Sequence, residues 1–132
     1  MDLEILNIAS DTDNNKDIKN HTHLSKLKNS LCGDEIQIKL IIKDNLITDF
    51  GYQGKSCIYC QASANILAKI SLNKDKNKIR ELCDDAKSYF DGNLKNIEDK
   101  RHSLRKLFNK ENISRKECIL LPFKALKKIV NN

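Results

Sequence analysis

The sequence has no tryptophan, only four phenylalanines and three tyrosines, and its positive charge sits on lysines spread along the chain rather than on clustered arginines. A nucleic-acid surface normally combines a concentrated basic stripe with aromatic platforms for the bases. The net charge of +6 is therefore read as solvated lysine faces, such as Lys74, Lys76 and Lys78 or Lys124, Lys127 and Lys128. No nucleic-acid partner is expected, although an acidic protein partner would suit the charge. No apolar run approaches the ~20 residues of a bilayer span, so no membrane association is expected either. The opening Met1-Asp2-Leu3-Glu4 carries acids where a targeting peptide would carry Lys or Arg, which predicts a cytoplasmic protein. Internal repeats and low-complexity tracts are also missing.

What is present fits one domain over residues 1–132. Charged residues at 32% and apolar residues at 39% are the balance of a soluble globular chain. In a reducing compartment the five cysteines are better read as ligands or nucleophiles than as disulfides.

The apolar spacing of Leu3, Ile5, Leu6 and Ile8 predicts a short amphipathic helix ending at Ser10. Residues 11–20 are rich in Asp, Asn and Lys and read as a flexible connection, making 1–20 a partly flexible N-terminal segment. Ile36, Ile38, Leu40 and Ile42 alternate with more polar neighbours as a half-buried strand, and Lys43-Asp44-Asn45 supplies turn chemistry. Leu46, Thr48, Phe50 and Tyr52 alternate on the way back, completing a β-hairpin. A helix capped by Ser56 or Gly54 should follow through Ala62, Ala64, Leu67 and Ile70. A second, over about 78–90, carries a stripe of Ile79, Leu82, Cys83, Ala86 and Phe90. A third, near 97–108, aligns Ile97, Leu104, Leu107 and Phe108. Pro122 belongs in a helix's first turn, so the last helix should start between Cys118 and Leu121 and bury Phe123, Leu126, Ile129 and Val130. These elements predict an α+β fold: a small antiparallel β-sheet packed on one face by helices.

The hairpin carries a chemical consequence. Its arms are about equal, so it returns the loop holding Cys57 to the loop holding Cys32 and Asp34. Gly33 gives that first loop the freedom to turn both side chains inward. A cysteine near a helix N-terminus, as Cys57 should be, meets unpaired amide hydrogens and the positive end of the dipole, which favour a thiolate. Nothing in the periodicity brings Cys118 to the same place.

The order Cys32-Gly33-Asp34, then Phe50-x-x-x-Gly54-x-x-Cys57 running into Gln61-Ala62-Ser63-Ala64, then Arg115-x-x-Cys118-x-x-Leu121-Pro122-Phe123 resembles the SufU/IscU-type iron–sulfur cluster assembly family, the NifU N-terminal-like proteins. The resemblance covers about residues 24–132. The long gap between Cys57 and Cys118, and the lack of a histidine just before Cys118, favour the SufU branch. The family's G-x-G-C reads Gly54-Lys55-Ser56-Cys57 here. The resemblance implies metal ligation by Cys32, Asp34, Cys57 and Cys118, with zinc as the metal in SufU-like members. It also implies Cys32 as the acceptor of persulfide sulfur from a PLP-dependent cysteine desulfurase. Arg115 matches the family's arginine before the third cysteine, where it would contact the partner or a departing thiolate. Three sulfurs and a carboxylate suit tetrahedral zinc, with Zn–S near ~2.3 Å.

Other readings stand beside these. The same cysteines could form a scaffold that assembles a labile iron–sulfur cluster and passes it to downstream acceptor proteins. Cys57-Ile58-Tyr59-Cys60 is a C-x-x-C, which allows a redox or regulatory binding module, or else Cys60 packs on its helix or joins the metal. At most the protein is a sulfurtransferase; otherwise it is a non-enzymatic scaffold. Cys83 lies on an apolar stripe and reads as a small hydrophobe. His21, His23 and His102 read as surface residues.

Overall fold

A computed structural model describes residues 3–93 and 102–131 of the chain. The elements follow in the order α1 (Leu3–Ser10), β1 (His23–Lys28), β2 (Glu35–Lys43), β3 (Leu46–Gln53), α2 (Ile58–Ser71), α3 (Lys76–Phe90), α4 (His102–Leu107), a 3₁₀ turn (Lys110–Arg115) and α5 (Lys116–Val130). The strands form one antiparallel sheet in the order β1-β2-β3. The fold is α+β, as the alternation of patterns predicts, and none of its described helices is long and apolar enough to cross a membrane.

The β2–β3 hairpin forms because Ile36, Ile38 and Leu40 bury one face of β2 and because Asp44 and Asn45 accept positive φ at 54° and 66°. That is the two-residue turn whose twist matches paired strands. The alternation expected along β3 is corrected. Ile41 pairs with Asp49 but Ile42 with Ile47, so Thr48 is the extra residue of a bulge. The bulge shifts the phase: Ile47, Phe50 and Tyr52 are buried, whereas Leu46 and Thr48 are exposed.

A third strand, β1, joins the hairpin where the residue pattern predicts no element. In β1 only Ser25 is buried and Leu27 half-buried, while Leu24 points outward, so the strand carries almost no apolar alternation. The expected flexible connection is also corrected. Ile18 is buried against Gly51, where an added Cβ would lie 2.5 Å from the Lys16 carbonyl. The Tyr52 amide donates to the Asn14 carbonyl at 3.0 Å, and Lys39 pairs with Asp17 at 2.5 Å. Residues 14–18 thus follow the edge of β3 and fold over the face opposite the helices.

The helical layer is centred on α5, in which Ile119, Leu120, Leu121, Phe123, Ala125, Leu126, Ile129 and Val130 are all buried. It packs on β1 and β2 and is flanked by α2 and α3. Its start is corrected from the expected range to Lys116, which leaves Pro122 inside the helix. Proline has no N–H, so the Cys118 carbonyl loses its intrahelical partner. Burial of four consecutive residues from Ile119 to Pro122 offsets that cost. Tyr89, Phe90, Phe108 and Phe123 make edge-on and tilted ring contacts at 5.1–5.8 Å that join α3, α4 and α5. In α1, Ile5 and Ala9 are the buried positions and Leu3 and Leu6 are exposed, a rotation of the expected stripe. Asp75 caps α3 through the Asn77 amide at 2.7 Å, starting it slightly before the expected residue. Leu104, Leu107 and Phe108 are buried as expected; Ile97 lies outside the described residues.

Candidate metal centre

Three chain segments meet at the end of the sheet away from the β2–β3 turn. The first is the β1–β2 connection. The Asn29 side chain accepts from the Leu31 amide at 2.9 Å, and its backbone amide and carbonyl bond Asp34 and Gly33 at 2.8 Å each. Gly33 lies at φ +78°, in the left-handed region that an L side chain resists. This tight loop leaves Cys32 exposed and turns Asp34 inward, nine-tenths buried.

The second segment leads into α2. The Glu35 amide donates to the Lys55 carbonyl at 2.8 Å, fastening this loop to the start of β2. A Cβ on Gly54 would stand 2.2 Å from the Glu35 carbonyl oxygen, so only glycine allows the approach. The expected cap, Ser56 or Gly54, is corrected: Cys57 is the N-cap of α2, with no side-chain cap bond. The Ser56 carbonyl instead accepts from the Gln61 side chain at 2.8 Å.

The third segment is the first turn of α5, with Arg115 as N-cap and Cys118 as the third residue of the helix. The Ser63 hydroxyl, fully buried on α2, donates to the Ile119 carbonyl at 2.6 Å. Two helix N-termini therefore face the same point, and each presents unpaired N–H groups and positive dipole.

One ligand atom each from Cys32, Asp34 and Cys118 lies within 4.8 Å of the others. Cys57 stands outside that trio but close enough to Cys118 to weigh on the ionisation of its thiol. Cys118, which periodicity alone could not place, thus has Cys57, Cys32 and Asp34 all as near neighbours. Burial pushes the Cys118 thiol up, reinforced by its contact with Cys57 and by the nearby Cys32 and Asp34. Asp34 Oδ2 is buried and has no hydrogen-bond partner among the described residues. A buried carboxylate oxygen left this way is costly unless a cation completes it. The donor set and the orphaned oxygen fit a metal such as zinc.

Arg115 is exposed, with its guanidinium carbon 5.3 Å from the centre of the Tyr59 ring. Tyr59 and Ser63 are legible in the sequence only as members of longer motifs, whereas Asn29, ahead of Cys32-Gly33-Asp34, carries a local turn signal. Cys60 and Cys83 are fully or nearly buried, and burial pushes each thiol up to about 12. His21 Nδ1 donates to the Ile18 carbonyl at 3.0 Å, and neither it nor His23 belongs to the metal-competent group of described residues.

A three-stranded antiparallel sheet backed by helices, closing on cysteines and one buried carboxylate, defines a small α+β protein with a thiol–carboxylate centre. Comparison with known proteins is specific. Residues 4–101 match the NifU-like N terminal domain. An uncharacterised protein of Borreliella burgdorferi is 36% identical over 115 residues, covering 86% of this chain and 79% of its own. The iron–sulfur cluster assembly scaffold protein IscU of Thermotoga maritima is 29% identical over 112 residues, covering 80% and 75%. Among crystal structures, one described as an iron–sulfur cluster assembly scaffold for the SUF system of Fervidobacterium islandicum superposes with TM-score 0.86 at 23% identity, over 98% of this chain and 96% of the other. A NifU-like protein (N-terminal) from Brucella abortus gives 0.87 at 21%, over 98% and 91%. The chain belongs to the NifU-like N-terminal domain family, and it is an IscU/SufU-type protein.

Proposed function

We propose that the protein serves iron–sulfur cluster assembly as a zinc-bound sulfur acceptor, taking persulfide sulfur from a PLP-dependent cysteine desulfurase onto Cys32. The observation that carries this reading is the trio of Cys32, Asp34 and Cys118 within 4.8 Å, with an unsatisfied carboxylate oxygen on Asp34 and Cys57 against Cys118. Cys32, Asp34, Cys57 and Cys118 would hold the metal, which supplies positive charge that keeps the bound sulfurs as thiolates.

Cys32 is the exposed member, so its sulfur is the one a partner can reach. In the transfer, Cys32 Sγ attacks the terminal sulfur of the desulfurase persulfide. A new S–S bond forms on Cys32, the enzyme's S–S bond breaks, and the enzyme cysteine leaves as a thiolate. Arg115, exposed next to the start of α5, is placed to meet that partner. Five free cysteines suit a reducing compartment such as the cytoplasm.

A second reading rests on the relative from Thermotoga maritima, whose name is that of a cluster assembly scaffold. In it the same cysteines would carry a labile iron–sulfur cluster as cargo for downstream acceptor proteins. Anaerobic purification with metal and sulfide analysis separates the two. Zinc near one equivalent supports the acceptor, and a brown protein bearing iron and sulfide overturns it in favour of the scaffold. Incubation with the desulfurase and cysteine should add one sulfur to Cys32 by mass, and Cys32→Ala should abolish both that addition and stimulation of the desulfurase.

A further inference from the structure

Cys60 is a thiol that the proposed function leaves unused. It is fully buried and is the third residue of α2, whose N-cap is Cys57. The N-cap and third side chains of a helix are neighbours, the pair that exchange bonds in a capping box. Positions three apart on a helix have Cβ atoms ~5–6 Å apart, and a disulfide needs about 3.5–4.5 Å. The remaining distance is small at a helix end whose N-cap side chain makes no cap bond to hold it.

The two thiols also differ in access. Cys57 is half-buried while Cys60 is fully buried, the asymmetry of an attackable sulfur and a resolving one. Cys118, the other thiol near Cys57, is grouped with Cys32 and Asp34 and is occupied when that group holds a metal. Cys60 remains free. Cys57 is the one proposed ligand outside the trio, so its withdrawal leaves the metal one donor short of a tetrahedral shell and weakens its hold.

We propose that Cys57 and Cys60 are a redox modification site, forming a reversible disulfide that removes Cys57 from the metal centre. The inference rests on the reading of Cys57 as a ligand of that centre. Hydrogen peroxide is the oxidant: the Cys57 sulfur attacks it, the O–O bond breaks, and a sulfenic acid forms with release of hydroxide. Cys60 sulfur then attacks Cys57 sulfur, the S–O bond breaks, and the oxygen leaves as water after taking the thiol proton. Two thiols are oxidised and one peroxide is reduced to two waters. A dithiol reverses the reaction by thiol–disulfide exchange and is itself oxidised.

The test uses the full chain, reduced and zinc-loaded, exposed to hydrogen peroxide, alkylated and digested with trypsin. One peptide, residues 56–69, carries both Cys57 and Cys60, and another, residues 117–124, carries Cys118. The expected product is peptide 56–69 lighter by two hydrogens, closed to alkylation and restored by a dithiol, with zinc released in step as read by a chromogenic chelator. Cys60→Ala and Cys60→Ser should bind zinc like the wild type before oxidation, lose the light peptide and lose the peroxide-driven release. Circular dichroism of both variants checks that they fold.

A cross-link between peptides 56–69 and 117–124, or a peptide 56–69 that stays fully alkylatable after peroxide, would overturn the proposal. So would a disulfide that forms without changing zinc release. Failure of the reduced protein to bind zinc at all is seen before peroxide is added and counts against the metal-centre reading; the peptide masses then decide the disulfide separately.

Discussion

The buried Ser63 hydroxyl of α2 donates to the Ile119 carbonyl of α5 at 2.6 Å, tying together the two helices whose first turns carry Cys57 and Cys118. Ile119 is the residue after Cys118, so this bond sets how far the Cys118 sulfur stands from Cys57. Ser63→Ala should cost about 0.5–1.5 kcal/mol for the lost hydrogen bond, read by chemical denaturation of the metal-free protein. The same variant should bind zinc more weakly although it removes no ligand. Unchanged zinc affinity alongside reduced stability would show that the bond holds the helices without setting the centre.

Gly54 makes a sharper demand on the backbone. It lies at φ +150°, and any Cβ would meet the Glu35 carbonyl oxygen at 2.2 Å. Gly54→Ala must therefore push the loop before Cys57 away from β2. A loss of more than about 1 kcal/mol is expected, together with weaker metal binding. Gly33→Ala supplies the contrast: its Cβ would meet nothing within 4 Å, so only the left-handed backbone cost of ~1–2 kcal/mol applies. Equal effects of the two substitutions on metal affinity would argue against the close approach at Gly54 as the device that places Cys57.

These two positions also show what the sequence made legible. Alternating Ile36, Ile38 and Leu40 specified β2, and equal hairpin arms predicted that the Cys57 loop would return to the Cys32 loop; the Glu35–Lys55 bond at 2.8 Å is that meeting. β1 was illegible because its inward positions are a serine and a half-buried leucine, a pattern that the α5 surface completes and the strand alone does not display. The phase of β3 departs from simple alternation because of a bulge at Thr48, which shows only in the pairing. The strap over Gly51 depends on one apolar residue, Ile18, too little for a periodicity. Cys118 reaches the centre through helix packing over more than fifty residues of separation, so only the motif resemblance pointed to it.

Buried thiols make alkaline pH a probe of the fold. Cys83 is pushed from an ordinary value of 9.0 up to about 12, chiefly by burial. The folded state therefore keeps a proton that the unfolded state gives up above pH 9. With fewer protons bound in the unfolded chain, stability falls as pH rises. The contribution is fully present below about pH 9 and is lost progressively up to about 12, at a slope near 1.4 kcal/mol per pH unit. Cys60 behaves alike, with burial as the main cause. Thermal unfolding of metal-free wild type and Cys83→Ala between pH 8 and 11 should show a shallower alkaline decline in the variant. Parallel curves would mean that Cys83 titrates alike in both states.

The stack of Arg115 on Tyr59, at 5.3 Å, separates a structural role from a partner role. An exposed cation–π contact contributes about 0.5–1 kcal/mol, so a double-mutant cycle of Arg115→Ala and Tyr59→Leu in denaturation should return a coupling of that size. Neither residue supplies a metal ligand, and both variants should retain the zinc content of the wild type. Their effects on the desulfurase should differ. Removing the guanidinium takes away a charge the partner can read, whereas Tyr59→Leu frees that guanidinium from the ring. Arg115→Ala is therefore expected to weaken stimulation of the desulfurase strongly, and Tyr59→Leu weakly. Equal losses in the two variants would mean that the stack itself is the recognised feature, and no loss in either would remove Arg115 from the partner surface.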